Sequence, residues 1–302
     1  MADIKKLLLL RFGELWLKSF EVRRRFTDRL LTNISDAFNA EKIPFKSIKS
    51  HDRIFLEVSK NDLAKATEIL SRTFGLVSFS IVEEIETDKE KIRDFVIREA
   101  SKVLKPKDTF AIRARRTGTH EFTSRDLERE LGSAVVGKFG NKVDLVTPDK
   151  TIFVEIRDNK AYIFSEKTGA LGGLPLGVEG KVAVLFSEYY EKSTVASFLM
   201  MKRGCKTVPL FVGRKSKKAN EAIQNLSKYD PLLKPVFIKS EKNAFEAARE
   251  SKARALVTAE SLADILSEKK KAFDKKTGIF VLQPLVGFDE KKLKEMCENI
   301  VR

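Results

Sequence analysis

The sequence is poor in the residues that hold metals and disulfides. Its 302 residues include two cysteines, Cys205 and Cys297, and two histidines, His51 and His120. Two cysteines give no disulfide framework, and neither histidine has a second histidine or a cysteine within ligand spacing, so we predict no metal site and two surface histidines. We expect Cys205 to be a small core residue. Cys297 fits either a core or an exposed position.

Long apolar runs are also missing. No window approaches the roughly 18 consecutive apolar residues that a membrane span needs. The run Leu7–Leu10 is too short, and no small-residue cleavage site accompanies it, so a signal peptide is not predicted. We therefore expect a cytoplasmic protein that does not bind membranes. With 42% hydrophobic residues, the chain is long enough for two or three domains of about 100–200 residues each.

Acidic residues are fewer than basic residues. The chain has 58 lysines and arginines against 43 acidic residues, and the excess is spread over both halves: 33 against 27 in residues 1–168, and 25 against 16 in residues 169–302. A heat-adapted surface would explain the 33% charged residues but not their imbalance. A basic surface attracts polyanions and releases their counterions. RNA is the favoured partner.

The first 83 residues alternate strand and helix patterns. Apolar periodicity marks strands and helices, in chain order, at Leu7–Phe12, 22–38, 54–58, 61–72 and 77–82. We interpret these five elements as part of the order β-α-β-β-α-β, which is typical of a small ferredoxin-like sheet. We assign residues 1–83 to this domain.

A second unit is predicted over residues 84–168. Thr87 and Glu90 have the spacing of a capping box at the start of a helix. In the strand that follows, Phe110, Ile112 and Ala114 alternate with Ala111, Arg113 and Arg115, so one face is predicted to be apolar and the other cationic. A further helix, and a hairpin that turns at Asp158-Asn159, complete the unit.

Two groups of arginines are candidate phosphate contacts. Arg23, Arg24 and Arg25 lie on the first predicted helix, largely off its apolar stripe, and Arg113, Arg115 and Arg116 lie on the cationic strand. Guanidinium forks match phosphate oxygens. A single charged helix face is usually only solvated, but two clusters in adjacent small domains favour RNA binding.

The second half has the pattern of a parallel sheet. A glycine-rich stretch, residues 169–180, is predicted to be a structured linker. Five short apolar runs, each followed by a helix-like stretch, then occupy 182–186, 208–212, 236–238, 255–257 and 279–282. This alternation predicts a Rossmann-like, five-stranded α/β/α sandwich over residues 181–302. Ligands of such sheets bind at the carboxyl ends of the strands, so the loop after Phe186 is the first candidate site.

That loop is a poor phosphate cradle by its chemistry. Residues 187–194 contain no glycine, so the backbone cannot easily wrap a phosphate, and Glu188 and Glu191 would repel one. Ser193 or Thr194 can cap the next helix, whose N-terminus could then receive an anion. On these residues alone, an ordinary strand-to-helix loop is the favoured interpretation.

Motifs along nearly the whole chain carry a family resemblance. They are Arg11–Leu15 with Lys18 and Arg23–Phe26, Phe110–Arg116 with Asp144, Leu145 and Pro148, Val154–Arg157, Gly172–Gly177, Met200–Gly204 and Pro284–Gly287. Together they resemble the tRNA 4-thiouridine synthetases, a thiamine-biosynthesis-type family of tRNA sulfurtransferases. The resemblance implies a ferredoxin-like domain and a THUMP domain that grip the acceptor end of tRNA. It also implies a PP-loop domain that adenylates a uridine with ATP before a persulfide sulfur replaces the activated oxygen.

The resemblance also indicates site residues. Those expected to bind RNA are Lys18, Arg23, Arg24, Arg113, Arg115 and Arg116. Those at the family's ATP-site positions are Phe186, Ser187, Ser193, Phe211, Ala259 and Glu268. No catalytic residue is assigned.

The departures from the family pattern fall on the ATP site. The family loop is Ser-Gly-Gly-x-Asp-Ser, whereas here Glu188 and Tyr189 follow Ser187 and the loop is one residue longer. Ala259 replaces a glycine, and Asp264 and Glu268 replace two glutamines. ATP is therefore expected as a cofactor only if the altered loop still holds it.

Two hypotheses of function follow, and a third is weaker. The first is a tRNA-binding protein whose ATP site does not adenylate uridine by itself, acting as a homodimer or beside a catalytic partner chain. The alternative is a divergent but active ATP-dependent sulfurtransferase that makes 4-thiouridine. A THUMP-linked methyltransferase would need a glycine-rich loop after the first strand of the second half and an Asn/Asp-Pro-Pro-Tyr/Phe motif, and the sequence has neither.

Overall fold

The computed structural model describes residues 4–13, 19–50, 53–267 and 278–301. Lys18, His51 and Glu268 lie outside these ranges, so their predicted roles remain predictions. The described chain packs into two compact units. Unit 1 comprises Met1–Arg11, Phe45–Ala64 and Ser78–Gly169, and unit 2 comprises Phe12–Pro44, Lys65–Val77 and Ala170–Arg302.

The first part of the chain has the β-α-β-β-α-β order that the sequence predicts. The elements are β1 (Lys5–Phe12), α1 (Phe20–Ala40), β2 (Phe45–Ser50), β3 (Arg53–Ser59), α2 (Leu63–Ser71) and β4 (Leu76–Glu86). The strands lie in the order β2-β3-β1-β4, and β3 is antiparallel to both β1 and β2. Helix α1 buries Phe26, Leu30, Ile34 and Phe38, which is the predicted stripe. The ferredoxin-like prediction is confirmed.

The same sheet continues through the next segment. Its elements are α3 (Lys89–Val103), β5 (Phe110–Thr117), α4 (Ser124–Phe139), β6 (Lys150–Arg157), β7 (Lys160–Phe164) and the short β8 (Thr168–Gly169). The long strand β4 pairs with β7, so the order runs on as β4-β7-β6-β5. Strands β5 and β6 are parallel, while β7 is antiparallel to both of its neighbours.

One face of β5 and β6 is covered by the helices α3 and α4. Phe110, Ile112 and Ile152 pack there against Val96 and Leu131 in one apolar core. Alternate residues of a strand point to opposite faces. Arg113 and Arg115 on β5 therefore lie on the face away from these two helices, as the alternation predicts.

The helix starts in this segment differ in part from the predicted ones. At α3 the N-cap is Asp88, whose side chain accepts a hydrogen bond from the Lys91 backbone N–H, so the predicted capping box of Thr87 and Glu90 is wrong. A carboxylate caps as well as a hydroxyl and also suits the positive end of the helix dipole, which shifts the start by one residue. A capping box does occur at α4, between Thr123 and Asp126.

The second sheet is the predicted parallel one. Its elements, with the helices that follow each strand, are β9 (Lys181–Phe186), α5 (Tyr190–Lys202), β10 (Lys206–Val212), α6 (Lys217–Ser227), β11 (Val236–Ile238), α7 (Ala244–Glu250), β12 (Ala255–Val257), α8 (Leu262–Leu266), β13 (Phe280–Leu282) and α9 (Glu290–Val301). The strand order is β11-β10-β9-β12-β13. The order reverses between β9 and β12, which is where ligands of such sheets bind.

Helices cover both faces of this sheet. Val182, Val184 and Phe186 on β9 face a core that includes Val195 of α5 and Leu293 of α9. The alternate residues Ala183 and Leu185 face a second core with Ala244 and Ala248 of α7. The predicted α/β/α sandwich is confirmed.

The glycine-rich segment before β9 is ordered by backbone hydrogen bonds. The Leu174 N–H donates to the Lys202 carbonyl at 3.0 Å, and the Gly177 N–H donates to the Gly204 carbonyl at 2.8 Å. Gly172 and Gly173 have φ values of 66° and 73°, the left-handed region that glycine adopts without strain. In the part of the chain that the structure describes, no helix is both long and apolar enough to cross a membrane.

Candidate nucleic-acid and nucleotide sites

The first candidate RNA residues lie on helix α1 in unit 2. Ser19 caps the helix by accepting a hydrogen bond from the Val22 N–H. Arg24, Arg25 and Arg29 are exposed, and with Phe20 they line a surface cavity of about 570 Å³. Phe20 is 70% exposed. A cationic helix face beside an uncovered aromatic ring offers contacts to both the phosphates and the bases of RNA.

The predicted RNA arginines of this helix are not equivalent. Arg24 is exposed on the cavity, whereas Arg23 is half-buried and engaged within the protein. Arg25, the third candidate phosphate contact on this helix, is exposed on the same cavity and lies over the ring of Phe26.

The second candidate group, on β5, is divided in a similar way. Arg113 is half-buried and donates a hydrogen bond to the Leu145 carbonyl, which ties it to the loop before β6. Arg115 and Arg116 are exposed. Arg116 lies on the opposite face of the strand from Arg115, so the three arginines are not one flat patch.

A cluster that the sequence reasoning missed surrounds Glu155 on β6. The Glu155 side chain is 8% exposed and forms ion pairs with Arg11 at 3.2 Å, Arg53 at 3.6 Å and Arg157 at 3.4 Å. Arg115 and Lys167 act electrostatically on Arg11. We name these six residues the Glu155 cluster. The one sequence signal was a lone glutamate in an otherwise apolar stretch of strand, Ile152–Ile156.

Burial and charge act in opposite directions on this cluster. Burial alone would raise the pKa of Glu155, but the charges of Arg11, Arg53 and Arg157 outweigh it, so this pKa lies below its ordinary value. Burial lowers the pKa of Arg11, although Glu155 opposes the shift. Burial also lowers the pKa of Lys167, and the charges of Arg11 and Arg115 lower it further.

The nucleotide-site candidates gather at the carboxyl edge of the second sheet. Phe186 ends β9, and its ring lies 4.6 Å from that of Phe211 on β10. Ser187 follows Phe186 directly, and Ala259, which is 7% exposed, follows β12, the strand beside β9. Tyr190 stacks on Phe211 at 5.8 Å. Five of the six predicted positions thus lie at or directly behind one sheet edge, and Glu268 is outside the described residues.

Helix α5 does not begin as predicted. It starts at Tyr190, and Tyr189 occupies the N-cap. Ser193 is buried, and its hydroxyl donates to the Leu185 carbonyl at 2.8 Å, while Thr194 donates to the Tyr190 carbonyl. The predicted capping by Ser193 or Thr194 is therefore wrong. Both residues lie inside the first turns of the helix, where a hydroxyl bonds to a nearby carbonyl instead.

A lysine is held at this edge by two carboxylates. The Lys192 ammonium lies 3.1 Å from Asp264 of α8 and 3.4 Å from Glu290 of α9. The Ser261 hydroxyl donates to the same Asp264 carboxylate at 2.7 Å. Burial alone would lower the pKa of Lys192, but its bonds to Asp264 and Glu290 raise it overall.

Neither cysteine has an activated thiol. Cys205 is 7% exposed, and burial raises the pKa of its thiol. Cys297 on α9 is half-buried, and burial, followed by the charge of Glu191, raises its thiol pKa as well. His120 is half-buried and bonds the Asp158 carbonyl at 2.8 Å. Among the described residues, no three metal-binding side chains converge.

Three family models match the chain. A ThiI ferredoxin-like domain matches residues 7–80, a THUMP domain matches residues 86–166, and a thiamine biosynthesis protein (ThiI) domain matches residues 177–237.

Similar proteins have consistent names. A probable tRNA sulfurtransferase of Methanobrevibacter smithii is 32% identical over 97% of this chain and 86% of its own. That of Methanothermobacter thermautotrophicus is 38% identical over 73% of this chain, which spans only 56% of that protein's length. A solved complex of a 4-thiouridine synthetase with RNA and bound ATP has the same fold, with a TM-score of 0.80 at 20% identity over 98% of this chain and 85% of that one.

Proposed function

We propose that this chain, which belongs to the tRNA sulfurtransferase family, binds tRNA but does not adenylate uridine by itself. The absence of adenylation is inferred from the carboxyl edge of the second sheet. There, carboxylates of this chain bind Lys192, and the loop beside it presents glutamates. The first part is supported by the THUMP match and by the exposed arginines.

The RNA-binding part rests on charge at exposed positions. Arg24, Arg25 and Arg29 form a cationic face on α1, and Arg115 and Arg116 project from β5. A relative of the same fold forms a complex with RNA. Arginines of this kind hold phosphates in place without reading sequence, so the binding is expected to depend strongly on salt. The acceptor end of tRNA remains the predicted target.

The nucleotide part rests on electrostatics at the start of α5. A bound triphosphate needs backbone N–H groups and cations, which a glycine-rich loop and free lysines supply. Here Glu188 and Glu191 are exposed at the helix start, and the Lys192 charge is matched by Asp264 and Glu290. An incoming phosphate would meet like charges and would have to displace carboxylates that are already bound.

Calorimetry on the full chain tests this function. We expect tRNA to bind, with an affinity that falls steeply as salt rises, and we expect neither ATP nor AMP to release measurable heat, with or without tRNA. In a thiolation assay with ATP and a sulfur donor, the purified chain is expected to leave uridine unchanged. ATP binding together with 4-thiouridine formation would refute the proposal.

The second candidate is a divergent but active sulfurtransferase. The observation in its favour is that the fold of the nucleotide domain is retained, with Ser187 at the carboxyl end of β9. In addition, the half-buried thiol of Cys297 lies on α9, and Glu290 of the same helix contacts Lys192. Repeating the thiolation assay with cell extract separates the candidates. Activity that appears only with extract indicates a catalytic partner chain.

A further inference from the structure

The carboxyl edge of the second sheet is divided by charge. The loop after β9 presents Glu188 and Glu191, whereas the loops after β10 and β11 are rich in lysine and arginine. These two cationic loops start side by side, because the Gly213 N–H donates to the Ile238 carbonyl at 2.8 Å. Their six exposed cations, which we name the β10–β11 cationic edge, are Arg214, Lys215, Lys217, Lys218, Lys239 and Lys242.

The positive charge of this edge is only partly balanced by its own loops. Residues 213–221 and 239–242 contain the six cations and two carboxylates, Glu221 and Glu241. In the part of the chain that the structure describes, none of the six cations forms an ion pair. Lys192 at the same sheet edge, by contrast, is paired with two carboxylates. The β10–β11 cationic edge therefore presents a net positive charge to solvent.

The backbone of the first cationic loop is fixed and faces solvent. Ser216 accepts a hydrogen bond from the Ala219 N–H at 3.2 Å, and the bond from Gly213 to Ile238 holds the other end of the loop. Gly213 has a φ of 89°, and a Cβ built there would meet no atom of the described chain within 4 Å. The loop thus presents its cations on an ordered backbone, which lowers the entropy lost when a ligand binds.

An aromatic ring lies at the start of the second cationic loop. Phe237 on the edge strand β11 is 40% exposed, and its ring stacks at 5.5 Å on that of Phe211. It comes two residues before Lys239. A ring that another ring supports on one side, in a cationic segment, suits an unpaired base of RNA, because bases stack on aromatic side chains while cations hold the phosphates.

Solvation alone does not account for this surface. Exposed lysines elsewhere in the chain are paired with carboxylates, as in Lys5 with Glu57 and Lys160 with Glu84, and a heat-adapted surface is built from such pairs. The β10–β11 cationic edge lacks them, so its like charges repel one another. A bound polyanion relieves this repulsion and gains the entropy of its released counterions.

The distribution of the charge favours a polymer over a single nucleotide. The six cations come from two loops, and the glutamates of the loop after β9 would repel a triphosphate placed at the end of that strand. A polynucleotide carries one negative charge at each phosphate, so it can lie along separate cations and pass the glutamates at a distance. Phe237 favours RNA over an acidic protein segment, since a base offers a flat face to its ring.

From these observations we propose that the β10–β11 cationic edge binds the phosphodiester backbone of tRNA and that Phe237 stacks on one unpaired base. This inference rests on the proposed tRNA binding and adds to it a surface on the nucleotide-fold domain. The edge at which sheets of this kind bind their ligands then holds a polynucleotide.

The test uses the full chain, a labelled tRNA and a series of salt concentrations. The triple variant Arg214→Ala, Lys215→Ala and Lys239→Ala removes three exposed charges, so the fold is expected to remain, which its melting temperature checks. We expect binding at least about tenfold weaker at physiological salt. The slope of log affinity against log salt should fall by about 2 units, since each lost phosphate contact removes about 0.7–0.9.

A matched control removes the same charge from the opposite edge of the same sheet. Lys234, Lys252 and Arg254 are exposed and precede β11 and β12, and their triple alanine variant also loses one arginine and two lysines. Its affinity is expected to stay within about twofold of the wild type, as for charges that make no contact.

The two triple variants separate the site from the proposed function. If the wild type does not bind tRNA, the proposed function itself fails. If the wild type binds and the two variants weaken binding equally, only the β10–β11 cationic edge is refuted.

Phe237→Leu tests the stacked base. The change removes the ring but no charge, so tRNA binding should weaken about fivefold at every salt concentration while the slope stays the same. Phe237→Trp keeps an aromatic face and is expected to retain the affinity. Unchanged binding by Phe237→Leu, or equal losses in both variants, would refute the stacking contact.

Lysine acetylation locates the contact without any substitution. Bound tRNA is expected to slow the acetylation of Lys215, Lys218 and Lys239 and to leave Lys234 and Lys252 unaffected, as measured by mass spectrometry. Equal protection of both groups would contradict the site.

A last arm distinguishes RNA from an acidic protein partner. Poly-L-glutamate of the same total charge as the tRNA is expected to bind more weakly than tRNA and to be indifferent to Phe237→Leu. Tighter binding of poly-L-glutamate than of tRNA, lost in the Arg214→Ala, Lys215→Ala and Lys239→Ala variant, would show that the surface serves a protein instead.

Discussion

Glu155 is a buried carboxylate that forms ion pairs with the guanidiniums of Arg11, Arg53 and Arg157. We predict that Glu155→Gln lowers the free energy of unfolding by about 3 kcal/mol near neutral pH, since breaking a buried ion pair strands the remaining charges. Urea denaturation measures this. Glu57→Gln is the control, because Glu57 pairs with Lys5 at the surface, where solvent screens the charges and the loss of the pair changes stability little.

The effect of Glu155 also has a defined pH dependence. Its pKa in the folded protein is below the ordinary value of 4.5. Its contribution is therefore complete above the ordinary pKa and is lost as pH falls through the folded-state pKa. The stability difference between wild type and Glu155→Gln should be constant near neutral pH and shrink in acid. A difference that grows in acid would contradict this.

The pKa values of the two cysteine thiols predict how readily each is alkylated. Burial raises the pKa of both Cys205 and Cys297 above the ordinary 9.0, so few thiolates are present near neutral pH and alkylation is slow. We expect iodoacetamide to modify Cys297 before the more buried Cys205, and both rates to increase with pH. Mass spectrometry of the native chain, with unfolded chain as the reference, measures this. Rapid alkylation of Cys297 near neutral pH would instead favour a sulfur-handling thiol.

At the scale of elements, the linker before β9 depends on two adjacent glycines that differ in their surroundings. A Cβ on Gly173 would lie 2.3 Å from the Lys202 carbonyl oxygen, whereas a Cβ on Gly172 would meet nothing within 4 Å. Both have positive φ, so alanine at either position costs about 1–2 kcal/mol of backbone strain. We predict that Gly172→Ala lowers stability by that amount and that Gly173→Ala lowers it by about 2 kcal/mol more. Equal losses in thermal unfolding would contradict the contact.

The start of α5 provides a second prediction at this scale. The buried Ser193 hydroxyl donates to the Leu185 carbonyl across the β9–α5 turn. Ser193→Ala should lower the free energy of unfolding by about 1 kcal/mol, the usual value of such a bond. It should leave tRNA affinity unchanged if the residue is structural here. Ser187→Ala, at a half-buried position in the same loop, is the matched control.

At the scale of the whole molecule, the basic surface should govern tRNA binding. We predict that Arg24→Ala with Arg29→Ala reduces the slope of log affinity against log salt by about 1.5 units, because each lost phosphate contact removes about 0.7–0.9. Fluorescence anisotropy over a salt series measures the slope. Lys138→Ala with Lys142→Ala removes the same charge and should leave the slope nearly unchanged. An unaltered slope in the α1 variant would place the RNA contacts elsewhere.

The sequence alone determined the order and type of nearly every element. Period-two and helical patterns, together with short apolar runs, predicted most strands and helices of both sheets, since each pattern follows from the face that an element must bury. They did not predict that the first two segments share one continuous sheet through β4 and β7. Val236–Ile238 and Ala255–Val257 were predicted to the residue. The N-cap of α3 did not follow from the sequence, because Thr87 and Asp88 are neighbouring residues that can both cap a helix, and the choice depends on the local backbone.

Only the tertiary structure decided which charges meet. Arg11 and Arg53 lie on other strands than Glu155 and Arg157 and far from them in sequence, and the folded sheet brings all four together. Lys192, Asp264 and Glu290 likewise lie on three helices that converge at one sheet edge. Periodicity predicts which face a residue lies on, but it does not predict which distant residue lies opposite. The sequence thus determined the fold and the family, and the folded chain determined that cations surround Glu155 and that carboxylates of the chain itself bind Lys192.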